Sequence, residues 1–166
     1  MTSYRDELIW AYDGEVLGEA MFSTMAANVE DRSRAAELAV MALIERQTKE
    51  QLGRLLEREG VTRDDERTAS KGAELGERSA RANWDRFLGS FAPLTSQALE
   101  RYRTMRDELA PETDAATMRA LVVHEEVLQS YADRAIAGEA DPVAPVVAAL
   151  DGANQAVARL LLDSVG

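Results

Sequence analysis

Apolar side chains recur along this chain at intervals of three and four residues, the spacing that places them on one face of a helix. From Tyr4 to about Glu30, Leu8, Tyr12, Glu15, Glu19, Phe22, Ala26 and Val29 fall on one such side. Ser3 and Asp6 have the spacing of a capping box at its start. Gly14 and Gly18 each weaken this helix by roughly 1 kcal/mol relative to alanine, and they allow a neighbour to approach closely. A second helix is expected from Asp31 or Ser33 to Gly60, a natural residue just past a helix C-terminus. Its stripe reads Leu38, Met41, Glu45, Thr48, Leu52 and Leu55. Glu37, Arg46, Lys49, Glu50, Arg54, Glu57 and Arg58 fall at solvated positions.

Thr62 with Asp65 gives another capping-box signal, opening a charged segment from about Arg63 to about Arg81. Gly72 and Gly76 are expected to break or bend it, leaving a short helix or a mobile connection. A third long helix carries Trp84, Phe87, Leu88, Phe91, Leu99, Tyr102, Met105 and Leu109, kinked or split at Pro93. Pro111 closes it. The next helix begins at Thr113 or Asp114 and ends near Gly138. Asp141-Pro142 reads as an N-cap followed by proline at the first helical position. A last helix then runs to about Ser164 with Val146, Val147, Leu150, Val157, Leu160 and Leu161 apolar and a candidate break at Gly152.

The expected architecture is all-α. The first two helices, at about 26 residues each, would be roughly 40 Å long. With two further long helices and short connections, the expectation is an antiparallel four-helix bundle with an additional C-terminal helix, one domain over residues 1–166. Trp84, Phe87, Phe91 and Tyr102 are expected to fill its core.

Charge narrows the function. A formal net charge of −11 argues against nucleic acid and anionic membrane surfaces as partners. The absence of cysteine removes disulfides, thiolate nucleophiles and thiolate metal ligands together. The start, MTSYRDELIW, has neither a basic region nor a long apolar run, and no apolar stretch approaches the roughly 20 residues that span a bilayer. The expectation is a cytoplasmic protein.

The candidate chemistry lies where acids interrupt apolar stripes. His124, the chain's only histidine, sits with Glu125 in the apolar run Met118 to Ile136. Glu125 shares a face with Met118, Leu121, Leu128 and Ala132; His124 lies on the overlapping face with Leu121, Leu128 and Tyr131. Glu15 and Glu19 occupy the first stripe and Glu45 the second. Burying such groups is costly unless they are paired, hydrogen-bonded or bound to a metal. Antiparallel helices bring their midpoints to one height, so these five groups would converge on one layer.

At this point the chain resembles the ferritin-like superfamily, whose di-iron members contribute one Glu from each of two helices and Glu-x-x-His from each of two others. The pattern Glu15, Glu19 and Phe22 on one helix, Glu45-x-x-Thr48 on the next and His124-Glu125 on a later one is similar to a divergent version. The departures are specific. Thr48 stands where a histidine would, Leu121 stands three residues before His124, and the apolar stripe of the third long helix carries no glutamate. With one histidine, the two-histidine set cannot be assembled within this chain. The resemblance implies a reduced site: one iron or manganese held by Glu15 or Glu19 together with Glu45, Glu125 and His124, with oxidoreductase chemistry. Tyr12, Thr48 and Tyr102 would support those ligands or face a substrate. No particular catalytic residue is implied.

Two other readings fit the same residues. In one, the carboxylates hold protons and serve as acid or base beside a small molecule in the core, with His124 as shuttle. In the other, the inner acids form a satisfied polar network in a helical assembly protein, and the apolar last helix is a homodimer face.

Overall fold

In a computed structural model, residues 2–165 are described, and every regular element among them is helical. Seven α-helices follow in order: α1 (Tyr4–Asn28), α2 (Arg32–Arg58), α3 (Glu66–Ala80), α4 (Trp84–Thr104), α5 (Ala115–Ile136), α6 (Ala144–Ala149) and α7 (Gly152–Asp163). A π-turn, Met105–Leu109, continues α4, and a short 3₁₀ turn, Glu112–Asp114, leads into α5. No described helix is long and apolar enough to cross a membrane.

Most sequence punctuation acts as its chemistry requires. The Ser3–Asp6 capping box forms, and the Asp31 carboxylate caps α2 by accepting from the Arg34 amide at 3.0 Å. Gly60 and Gly138 both take positive φ, 67° and 72°, just past α2 and α5. At Gly60 the following amide, Val61, turns back to the Leu56 carbonyl at 2.9 Å, satisfying an end carbonyl that the helix leaves unpaired.

Four expectations need correction. The Thr62–Asp65 box does not form; the Asp65 carboxylate instead accepts from the Tyr12 hydroxyl at 2.8 Å. Pro93 neither ends nor divides α4: it lies on the exposed side, where the space around Gly89 is open beside the carbonyl that loses its amide partner. Asp141-Pro142 does not cap the last helix, which starts later with Pro145 in its first turn and divides at Leu150–Asp151, where Asp151 caps α7. Of the short helix or mobile connection expected after Gly60, a helix forms, and Gly72 and Gly76 do not break it: α3 runs unbroken for fifteen residues.

Gly72 and Gly76 are why α3 packs rather than breaks. They are its only buried residues, and each lies against the backbone of α1. A Cβ on Gly72 would collide with the Leu17 carbonyl oxygen, and one on Gly76 would lie 2.5 Å from the Met21 carbonyl oxygen. Four-residue spacing puts both glycines on one face, where missing side chains let two backbones touch.

The long helices bury a common interior, and their contacts fix its registry. Glu37 meets Tyr131, Thr48 meets His124 and Arg58 meets Asp114, so α2 and α5 are paired in opposite chain order. Trp10 packs on Tyr102 and Phe22 on Phe91, pairing α1 with α4 in the same reversed sense. The interior is in two parts. One apolar cluster gathers Leu8, Leu52, Leu99, Met118 and Leu121; the other gathers Phe22, Met41, Phe91, Leu128 and Tyr131. Each large side chain so buried contributes roughly 1.5–3 kcal/mol. Between the two clusters, α1, α2 and α5 place charged and polar side chains instead.

Several positions expected to be solvated are spent on ion pairs. Arg58 donates to both oxygens of the buried Asp114, at 2.6 and 2.7 Å, and the Tyr4 hydroxyl donates to the same group at 2.7 Å. Glu37 accepts from the Tyr131 hydroxyl at 2.9 Å; burial raises its pKa, and that hydrogen bond opposes the rise.

Candidate functional site

The buried stripe of α1 runs Leu8, Ala11, Glu15, Gly18, Phe22 and Met25, a strict alternation of three and four residues. The α2 stripe is Leu38, Met41, Glu45, Thr48, Leu52 and Leu55. On α5, Leu121, His124, Glu125 and Leu128 are buried. Glu15, Glu45 and His124 therefore occupy the middle turns of three helices that the apolar residues on either side hold together.

Their side chains meet. One ligand atom from each of Glu15, Glu45 and His124 lies within 4.8 Å of both others. His124 Nε2 is 3.3 Å from Glu15 Oε2, 3.8 Å from Glu45 Oε2 and 3.9 Å from Glu125 Oε2. Glu15 is 1% and His124 2% exposed, so this is an interior cluster. Glu125 lies against the ring but outside the mutual triad. On the far side of the imidazole, Thr48 Oγ1 is 3.0 Å from Nδ1, which fixes the ring plane and aims Nε2 at the acids.

Gly18 makes the gathering possible. A Cβ there would overlap the Glu45 carboxylate, lying 2.9 Å even from its farther oxygen. The helical weakness of glycine at this position is offset by the space it leaves for an acid from α2.

Two of the expected participants are elsewhere. Glu19 is held by Arg46, at 2.7 Å, and by Lys49, and is one position off the buried stripe. Burial pushes its pKa up, but the hydrogen bonds from Lys49 and Arg46 outweigh it and leave the carboxyl below its ordinary value. Tyr12 is turned toward Asp65 and does not reach the acids. Thr48 lies on the imidazole and Tyr102 beside the acids. Phe87 and Phe91 are core residues, as expected, that also line the pocket described below, whereas Trp84 packs at a tilt on Phe87 outside it, under the Arg34 guanidinium.

Among the described residues, no lysine or arginine lines the pocket beside the cluster. Burial, then the charge of Glu45, its hydrogen bond and the charge of Glu125, raises Glu15 well above the ordinary carboxyl range; a hydrogen bond with Tyr102 acts the other way. Burial pushes Glu45 up to about 8, with Glu15 opposing the rise. Glu125 is raised by burial and by Glu45. Burial drives His124 down to about 3, so the imidazole is neutral. Two carboxyls this close cannot both ionise cheaply, so the pair retains a proton. Glu15 Oε2, 3.3 Å from His124 Nε2, has no hydrogen-bond partner. An unsatisfied acceptor at this depth costs about 1–3 kcal/mol.

A pocket of about 360 Å³ adjoins the acids. Glu15, Glu45, His124, Glu125 and Tyr102 form its floor, and aromatic and aliphatic side chains from α1, α3 and α4 form its walls. The donor set suits a divalent cation that prefers oxygen: two or three carboxylates and one imidazole, with the orphaned oxygen pointing inward. The chain matches no protein family, no curated protein and no solved structure.

Proposed function

We propose that the protein is a ferritin-like bundle with a reduced metal centre, in which Glu15, Glu45 and His124 Nε2 hold one iron or manganese ion and Glu125 adds charge beside it. The observation that carries this reading is the partnerless Glu15 oxygen, buried among acids with a neutral imidazole and, among the described residues, no lysine or arginine lining the pocket. A divalent cation would satisfy that oxygen and replace the protons that burial otherwise forces onto the carboxyls. Mostly oxygen ligands with one nitrogen favour iron or manganese over zinc.

The scaffold proposed is an antiparallel four-helix arrangement of α1, α2, α4 and α5, with α3 and α6–α7 outside it. The reversed pairings of α2 with α5 and of α1 with α4 support it, as does the polar layer midway between two apolar clusters.

Bound iron or manganese would supply one-electron redox chemistry. This chain's own residues would do the rest. Thr48 holds the imidazole in one orientation. Glu45, whose pKa of about 8 lies near neutral pH, gives up a proton when a cation binds and can take it back when the cation leaves. The apolar walls keep bulk water from the centre, which strengthens every charge interaction inside.

A second reading rests on a different observation. A carboxyl titrating near 8 beside an apolar pocket is suited to general acid or base work without metal.

Element analysis of the whole chain, purified without a metal-binding tag, separates the two. About one equivalent of iron or manganese is expected, with Glu45→Ala and His124→Ala losing it and Thr48→Val weakening affinity by roughly ten-fold or more. A chain free of metal, which binds neither manganese(II) nor iron(II) on titration above pH 8, overturns the metal reading.

A further inference from the structure

The pocket is built for more than access by water. All three phenylalanines of the chain, Phe22, Phe87 and Phe91, line it, joined by Trp10 and Tyr102. In a protein with only 5% aromatic residues, this is a concentrated investment in one wall. The stacking is ordered: Phe22 meets Phe91 edge-on at 5.5 Å, and Phe87 lies over Phe91 at 5.6 Å.

Exposure falls from mouth to floor. Leu94 is 61% and Trp10 38% exposed at the rim, whereas Glu15 and His124 at the floor are almost fully buried. Two large apolar side chains held in water at the mouth of an apolar cavity are the arrangement expected where a ligand completes the surface. The volume, about 360 Å³, is near the lower end for small-molecule sites and too small for a peptide helix.

The lining also has a sign. Three glutamates reach the pocket and, among the described residues, no lysine or arginine does. The nearest basic groups are engaged elsewhere: Arg101 lies over the outer face of Trp10 and pairs with Glu7 at 2.6 Å, while Arg46 and Lys49 are spent on Glu19. In the metal-free chain an acidic ligand would find no counter-ion and three acids at its inner end.

We propose that this pocket binds a small apolar molecule, aromatic or branched aliphatic, that bears no acidic group, and that this molecule is the substrate delivered to the carboxylate floor. As a substrate assignment the inference rests on the metal reading; as a binding site it does not. The wall made by Phe22, Phe87 and Phe91 holds the apolar body, and the Tyr102 hydroxyl and the floor carboxyls meet the inner end.

The test uses two matched probes with one ring system, 2-naphthalenemethanol and 2-naphthoate, titrated into the whole chain by calorimetry or ligand-detected NMR. The chain is first stripped of metal with chelator, so the result is independent of metal content. The alcohol is expected to bind at least ten-fold more tightly than the acid, because the naphthoate charge would lose its hydration with no cation to replace it, a difference of about 1.4 kcal/mol or more. Ala98→Phe, which fills the pocket from its wall, is expected to weaken the alcohol at least ten-fold while leaving metal content unchanged. Ser90→Trp, at the exposed rim, gives the same test at a position where folding is undisturbed. Equal binding of both probes, binding of neither, or full binding by both blocked variants would overturn the proposal. Loss of metal stoichiometry with intact, blockable probe binding would instead overturn only the metal reading.

Discussion

Replacing Gly72 with valine is expected to lower the unfolding free energy by about 2–3 kcal/mol, because the new side chain must displace the backbone of α1. Its Cβ would overlap the Leu17 carbonyl oxygen and lie 2.9 Å from Ala20 Cβ. Neither atom is the free end of a flexible side chain, so the strain is relieved only by lifting α3. Gly76→Val should do the same against Met21 and Thr24. Chemical denaturation checks the magnitude, and amide exchange checks the mechanism: protection should fall across α3 while the Glu45 region of α2 keeps its own. Gly89→Ala is the control. It is also helical, but a Cβ there meets nothing, and the variant should gain up to about 1 kcal/mol. If valine at Gly72 is tolerated like alanine at Gly89, the backbone contact of α3 with α1 is not as described.

The stability of the metal-free chain is expected to fall as pH rises from 6.5 to 8. The sign follows from the direction of each shift. Glu45 is raised from 4.5 to about 8, so its contribution is full below 4.5 and is lost as pH climbs through 8. His124 is lowered from 6.5 to about 3, so its contribution is full above 6.5 and is lost only as pH falls toward 3. Between 6.5 and 8 the histidine is silent and the carboxyls act alone. Each carboxyl protonated only in the folded state costs about 1.4 kcal/mol per pH unit. Glu45 by itself then removes about 2 kcal/mol over that interval, a Tm drop of about 4–8 °C for a chain of this size. Glu15 and Glu125 are shifted the same way and add to the slope. Thermal melts with chelator at three pH values check this. Glu45→Gln should flatten the dependence, and saturating manganese(II) should reverse it, since a cation competes with protons for these oxygens. A flat profile in the unaltered chain would mean the acids are hydrated and ordinary.

The sequence carries most of this arrangement because the inner acids break an otherwise regular apolar period. Glu45, Thr48, His124 and Glu125 fall where the spacing places them. Glu19 and Tyr12 do not, and the reason lies in small residues. The buried stripe of α1 passes through Ala11 and Gly18, which an apolar pattern does not mark, so the adjacent Tyr12 and Glu19 look equally central. The basic residues one turn along α2, Arg46 and Lys49, were the signal that Glu19 was already paired.

The same property hid α3. Glycines at Gly72 and Gly76 read as helix breakers when propensity alone is weighed, yet their four-residue spacing marks a face made for backbone contact. Once α3 lies on α1 it supplies Leu75 and Ser79 to the pocket, so the cavity beside the acids could not be seen without it. Asp114 illustrates another limit. Its position at the start of α5 is readable, but its burial under Arg58 and Tyr4 depends on the ends of three helices meeting.

The central claim is that acids from α1 and α2 meet the imidazole of α5 away from water and there bind one cation. Crystals of the whole chain grown with manganese(II), with diffraction collected at the manganese absorption edge, address it in one map. The account predicts a single strong anomalous peak enclosed by Glu15, Glu45 and His124 Nε2, absent from His124→Ala crystals. Manganese found only on surface carboxylates, or Glu15 and Glu45 turned outward into solvent, would contradict it.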